Sequence, residues 1–149
     1  MQETSDIISE RDAHKINKHL PGYLTGVMWQ LYYSRSRHGV SYNTLIRQST
    51  RRGPVVILLR DEASEIFGGF YSAELRLNDD GFTGDGESFL FKYEKAGFRH
   101  WPATSNNSYF CRCYSEGISM GAEDWPGLFF SRELRQGTSA FCKTYENEQ

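Results

Sequence analysis

The chain reads as a mainly β protein of the α+β class, a two-layer antiparallel β-sandwich with a few peripheral helices. Three observations predict this. From residue 55 onward, short runs rich in Val, Ile, Phe and Tyr recur, separated by Gly, Pro, Asp and Asn turn signals. Helical periodicity is confined to the first third of the chain. Aromatic residues reach 15%, with ten Phe and nine Tyr, side chains that suit strands packed face to face. At 149 residues the chain has the size of one domain with a core of its own.

The elements follow in order. Thr4 or Ser5 is placed to cap a first helix with Asp6 in its first turn, and Ile8, Ile16 and Leu20 recur at helical spacing until Pro21-Gly22 stops it. The apolar stripe is thin, so this helix, residues 1–20, is expected to rest on the domain formed by 21–149. Residues 27–34 read as a strand of large side chains. His38-Gly39 turns the chain, and Ser41 is placed to cap a short helix through Ser49, anchored by Leu45 and Ile46. Gly53-Pro54 opens the run Val55 to Leu59, whose continuous hydrophobicity predicts a central strand covered on both faces. A turn over Asp61–Ser64 pairs it with Ile66–Tyr71, where Gly68-Gly69 signals a bulge or a close backbone approach. After a polar loop over 78–86, strands are predicted at Glu87–Tyr93, Phe98–Trp101, Ser108–Tyr114, Gly117–Met120, Leu128–Ser131 and Ser139–Thr144, with a turn or short helical piece at Glu133–Gln136.

Several function classes are disfavoured by composition. No apolar run approaches the length of a membrane span. The acidic N-terminus has no apolar stretch after it and does not read as a secretory signal, so the chain is expected in the cytoplasm. Cys111, Cys113 and Cys142 make no disulfide framework and no zinc spacing; Cys111 and Cys113 alternate in a strand and are read as small buried hydrophobes. Net charge is −2, unevenly spread: residues 1–60 carry nine Lys or Arg against four acids, and residues 61–149 eight against fifteen. The basic excess gathers at Arg35, Arg37, Arg47, Arg51 and Arg52, too modest for a nucleic-acid face and suited to a solvated face or a docking patch for an acidic protein.

Residues 84–91, Gly-Asp-Gly-Glu-Ser-Phe-Leu-Phe, look like a ligand loop but lack the lysine, hydroxyl residue and helix of a phosphate cradle. Glu87 would repel phosphate, and the glycines are read as serving backbone geometry. Asn78, Asp79, Asp80, Asp85 and Glu87 do not fit a calcium-loop frame. Glu87 is suited to hydrogen-bond loop amides or to present a charge to a partner, the first being preferred. Ser88 lacks a nucleophile elbow, and His38 beside Ser34 and Ser41 reads as a turn histidine, so no catalytic residue, cofactor or metal is expected. Trp29 and Trp101 read as core or edge anchors, whereas Trp125 in Trp-Pro-Gly reads as an exposed contact residue.

The order of these motifs resembles the TLDc domain family over roughly residues 20–149. The resemblance rests on Trp29, Leu31, Tyr32 and Ser34; His38, Gly39 and Ser41; Gly53-Pro54; Phe-Gly-Gly-Phe at 67–70; the 84–91 stretch; Trp101, Asn107, Tyr109 and Phe110; Gly121, Gly127 and Leu128; and Gly137, Ser139, Cys142, Thr144, Tyr145 and Asn147. Ala122-Glu123-Asp124 stands where that family often carries further glycines. The family's pattern continues past the last Asn into another strand, so the resemblance implies a domain incomplete at its C-terminus, with a sheet completed by strand addition from a partner, a second copy or a separate segment. It also implies a non-enzymatic protein-interaction domain linked to oxidative-stress resistance. Its partner would be the peripheral sector of the vacuolar proton-pumping ATPase, and its place cytosolic, at an organelle membrane or in a large assembly. On that reading Arg35, Arg37, Arg51 and Arg52 face acids, Asp79, Asp80, Asp85 and Glu87 face bases, and Trp125 is a contact hot spot. A structural subunit of a large assembly is the alternative, and a hydrolase or thiol-based antioxidant enzyme the third.

Overall fold

A computed structural model of the chain describes residues 7–24, 26, 29–78, 81–95, 97–123, 125–134 and 136–147. Helices α1 (Glu10–Asn17), α2 (Arg35–His38) and α3 (Tyr42–Ser49) precede eight strands: β1 (Val55–Arg60), β2 (Ile66–Tyr71), β3 (Phe89–Glu94), β4 (Gly97–Pro102), β5 (Cys111–Tyr114), β6 (Gly117–Met120), β7 (Leu128–Ser131) and β8 (Gly137–Ser139). They form two four-stranded antiparallel sheets, A (β1-β2-β3-β4) and B (β5-β6-β7-β8), each with its strands in sequence order. The expected mainly-β α+β sandwich is what the chain forms.

Pleat alternation divides sheet A's side chains between two cores. Tyr71, Leu90, Val55, Ile57 and Leu59 face sheet B and join Cys111, Cys113, Ile118, Met120, Leu128, Phe130, Cys142 and Tyr145 in the inner core. Phe70, Phe89, Phe91, Val56 and Leu58 face the other way, where Ile8, Ala13 and Ile16 of the N-terminal segment cover them. Sheet A is therefore the middle of three layers. Tyr93 Oη donates to the Asp12 carbonyl at 2.6 Å, which ties α1 to the sheet.

Helix α1 starts later than the sequence reading placed it. Its cap is Ser9, whose Oγ accepts the Asp12 N–H at 3.2 Å, with buried Ile8 just before it and Ala13 four residues into the helix in the same core. Thr4, Ser5 and Asp6 lie outside the described residues. Helix α3 begins at Ser41 as expected, with Ser41 Oγ accepting from Thr44 N–H. Its Tyr42 Oη donates to the carbonyls of Tyr114 and Gly117, clipping the β5–β6 hairpin.

The predicted strand at 27–34 does not form over 29–34, and Val27 and Met28 lie outside the described residues. Trp29 packs on the outer core and Tyr33 on the inner one, but no strand flanks their backbone; the Ser34 N–H goes instead to His38 Nδ1 at 2.9 Å. Strand β1 is not central. It is the edge of sheet A, paired only with β2 among the described residues. Strand β3 starts at Phe89, because Glu87 and Ser88 belong to a turn; β5 starts at Cys111, because 107–110 are held irregularly by Asn107. The last strand is Gly137–Ser139, and the chain beyond it turns back on itself, with Glu146 N–H bonded to the Cys142 carbonyl.

Gly68-Gly69 makes no bulge, since pairing is continuous on both sides. It marks a close approach: a Cβ on Gly68 would fall on the Ile57 carbonyl oxygen, and one on Gly69 would lie 2.5 Å from Met120 Sδ of the facing sheet. Gly69 lets the two sheets meet where a side chain would hold them apart, and Gly68 lets β1 lie close to β2 within sheet A.

Candidate functional site

The registers Cys111↔Met120 and Leu128↔Ser139 bring the start of β5, the end of β6, the start of β7 and the end of β8 to one end of sheet B. Loops 103–110, 121–127 and 140–147 leave from there, and a polar clasp joins them. Thr144 Oγ1 donates to Asn107 Oδ1 at 2.8 Å and accepts the Ala122 N–H at 3.0 Å, while the Thr104 N–H reaches the Thr144 carbonyl. Tyr145 Oη donates to the Phe110 carbonyl at 2.8 Å and lies 3.0 Å from Ser88 Oγ. Asn147 Oδ1 accepts the Cys142 N–H, and its Nδ2 donates to the Ala140 carbonyl. Cys142, Thr144, Tyr145 and Asn147 are all buried. Buried polar groups connected in this way hold the three loops together, although Asn107 Nδ2 is buried without a hydrogen-bond partner.

On this rigid base stand three exposed apolar side chains: Trp125 (70% exposed), Phe141 (47%) and Tyr109 (43%). Tyr109 leans on Phe82, ring centroids 5.1 Å apart. Large aromatics presented to water on a fixed support are the side chains that anchor protein interfaces. Trp125 is exposed, as expected. Tyr109 and Phe141 escaped the sequence reading.

The remaining candidates are scattered. Arg35 and Arg37 lie exposed on α2, and Arg51 and Arg52 lie exposed after α3. The Arg52 guanidinium sits 4.9 Å over the Tyr32 ring, three residues before Arg35, which draws the two arginine pairs to one region. Arg51 takes a left-handed backbone, φ 63°, and its N–H is held by the Glu74 carboxylate. Asp79 and Asp80 lie outside the described residues. Asp85 closes its own turn: Oδ1 accepts the Glu87 N–H at 2.9 Å, and its carbonyl takes the Ser88 N–H and Oγ–H. Asp85 thus bonds loop amides as was expected of Glu87, and among the described residues the exposed Glu87 carboxylate makes no such bond. Gly84 adopts φ +90° against Ser72 and Cys111, so this glycine does serve backbone geometry.

Ser88 is fully buried between Asp85 and Tyr145, and His38 Nδ1 is engaged with the Ser34 backbone. Among the described residues no three His, Cys, Asp or Glu side chains gather as a metal site, and no helix is long and apolar enough to cross a membrane. Cys111 and Cys113 share the inner face, and all three cysteines are buried and outside any disulfide. Burial pushes the Cys111 thiol up to about 12 from an ordinary 9, and raises Cys142 and Tyr145 as well. The fold therefore holds Cys111 protonated while the unfolded chain ionises first. Its contribution is intact below about pH 9 and is lost as pH rises toward 12, at about 1.4 kcal/mol per pH unit. Iodoacetamide at about pH 8 is expected to leave Cys111, Cys113 and Cys142 unmodified in the native protein and to modify all of them in guanidinium. Urea midpoints should fall steadily above about pH 9; native alkylation of Cys111 would contradict this.

The TLDc domain profile matches residues 1–149. The chain belongs to the TLDc domain family. This TLDc domain is 30% identical over 149 residues to "Oxidation resistance protein 1" of Homo sapiens, an alignment covering 99% of this chain and 17% of that protein. It is 31% identical over 151 residues to the protein of that name in Xenopus tropicalis, covering 99% and 17% respectively. "Nuclear receptor coactivator 7" of Mus musculus is 28% identical over 150 residues, covering 99% of this chain and 16% of that protein. The chain spans about a sixth of the length of these relatives.

Proposed function

We propose that this TLDc domain is a non-enzymatic protein-interaction module acting in oxidative-stress resistance, and that its partner is the peripheral sector of the vacuolar proton-pumping ATPase. The observation that carries the reading is the aromatic rim of Tyr109, Trp125 and Phe141, exposed on loops that a buried clasp holds in place. The similarity to oxidation resistance proteins supports the stress role. Protection reached through a partner agrees with thiols that burial keeps protonated, since a direct scavenger needs an accessible thiolate. Arg35, Arg37, Arg51 and Arg52 supply a second, electrostatic region facing acidic residues, and Asp79, Asp80, Asp85 and Glu87 a third facing bases; both act chiefly on encounter rate.

Purified peripheral sector titrated with the labelled domain tests this. Saturable binding that changes the rate of ATP hydrolysis is expected. Reversing Arg51 and Arg52 to glutamate should slow association about tenfold at low salt and leave dissociation nearly unchanged. No binding of the sector, by a domain shown to be folded, would reject the reading.

A further inference from the structure

We infer that the outer face of sheet B is a docking surface for an acidic segment of a protein partner, with Arg112 as the group that receives its carboxylate. The inference rests on the interaction reading of the adjoining rim and names the chemistry of what lies against it.

Sequence alternation sets up the face. Cys111 and Cys113 point into the inner core, so Arg112 and Tyr114 point out, beside Ser119 and Phe129 in the register Arg112↔Ser119↔Phe129. The Thr83↔Cys111 bridge places Phe82 next to Arg112 on the same side. The guanidinium carbon lies 4.0 Å from the Tyr114 ring centroid and 5.7 Å from that of Phe82. Tyr109, against Phe82, continues this row into the aromatic rim. Neither core includes Phe82, Tyr109, Tyr114 or Phe129.

Two polar atoms on this face lack what burial ordinarily demands. Arg112 Nε and Ser131 Oγ are buried without a hydrogen-bond partner, and among the described residues Arg112 makes no ion pair. An always-charged, weakly hydrated guanidinium lying over aromatic rings is suited to a two-point bond to a carboxylate. The rings lower the local dielectric and strengthen that bond. Ser131, across Gly117 from Tyr114, stands ready to donate to the same segment. A nucleic acid would need several phosphate contacts. Strands β5 to β8 carry only this single cation, so an acidic peptide interspersed with apolar residues is the better fit.

The test follows the Arg112 Nε–Hε resonance of the isotope-labelled chain during titration with a decapeptide of alternating glutamate and leucine. A saturable shift is expected at Arg112, none with the glutamine-for-glutamate peptide, and at least a tenfold loss of affinity in Arg112→Gln. No shift at Arg112 overturns the inference, as does an equal shift with the glutamine peptide or unchanged affinity in Arg112→Gln. Inorganic phosphate or oligouridylate matching the peptide at this resonance would also overturn it, in favour of a general anion site or a nucleic acid. The resonance is read on the unaltered protein, so the result stands even if the variant folds poorly. Loss of proton-pump binding in rim variants reports on the interaction reading alone and leaves the Arg112 readout untouched.

Discussion

Trp125→Ala combined with Phe141→Ala is expected to weaken binding of the protein partner by about 100-fold or more while leaving the melting temperature nearly unchanged. Interface hot spots are typically aromatic and cost about 2 kcal/mol or more on truncation, and each 1.4 kcal/mol is a factor of ten. Trp125 is 70% exposed and Phe141 47%, so neither contributes much to the domain's own core. Their presentation depends on the clasp beneath them, in which Cys142 and Thr144 are held by Asn147 and Asn107. Surface substitutions away from special features usually shift stability by about 0.5 kcal/mol or less. Tyr23→Ala is the matched control, because Tyr23 is equally exposed, at 68%, but stands in a short turn near α1. Equal loss of binding in Tyr23→Ala, or none in the double variant, would show that the rim is not the contact surface. Titration calorimetry with the purified proton-pump sector gives the affinities, and thermal melting gives the stability.

Gly68→Ala is expected to destabilise the fold by about 3 kcal/mol or more, the upper range for overpacking. Its added methyl would meet the Ile57 carbonyl oxygen of β1 and come within 3.2 Å of the Phe91 ring. Backbone cannot step aside as a side chain can, and moving β1 would break the continuous β1–β2 register. Such a loss is a large part of the ~5–15 kcal/mol that holds a domain folded. Gly86→Ala, with nothing within 4 Å of its new methyl, should stay within about 0.5 kcal/mol. Urea unfolding compares the two directly, and equal midpoints would refute the close-approach argument.

Much of the scaffold can be read from local pattern. The β1–β2 hairpin, β6 and β7 follow from apolar runs bounded by turns, and Ser41 from its place before a short amphipathic stretch. What fails is instructive. The continuous Val55–Leu59 run correctly reports two covered faces, with Val55, Ile57 and Leu59 on one core and Val56 and Leu58 on the other. Covered faces say nothing about how many neighbours a strand has within its sheet, so β1 was read as central when it is an edge. Ser9 caps α1 where Ile8 and Ala13 pack against sheet A, a tertiary contact that the expected cap at Thr4 or Ser5 did not take into account.

The rim was less legible than the scaffold. Strand alternation extended back from Cys113 and Cys111 would put Tyr109 inside. Asn107 Oδ1 instead takes the Tyr109 N–H, the pleat begins only at Cys111, and Phe110 turns inward in its place. Phe141 was read as part of a strand from Ser139 to Thr144. The strand ends at Ser139, and the 142–146 turn leaves Phe141 in water beside buried Cys142. Arg112 as a cation over two rings depends on Phe82, thirty residues upstream, which the Thr83↔Cys111 bridge and the Asn78 N–H bond to the Cys113 carbonyl bring alongside.

Because every hydrogen-bonded strand pair joins neighbours in sequence, loop closure is inexpensive and both sheets zip locally. On a ribosome, sheet A can assemble once Pro102 has emerged, before β5 has left the exit tunnel. Its greasy underside, Leu90 and Tyr71 among it, then waits uncovered until the second meander arrives and the clasp around Thr144 and Tyr145 latches. Pairing this local allows a half-roofed intermediate during synthesis. In that interval a holding chaperone would find its footing on the surface that later becomes the domain's interior.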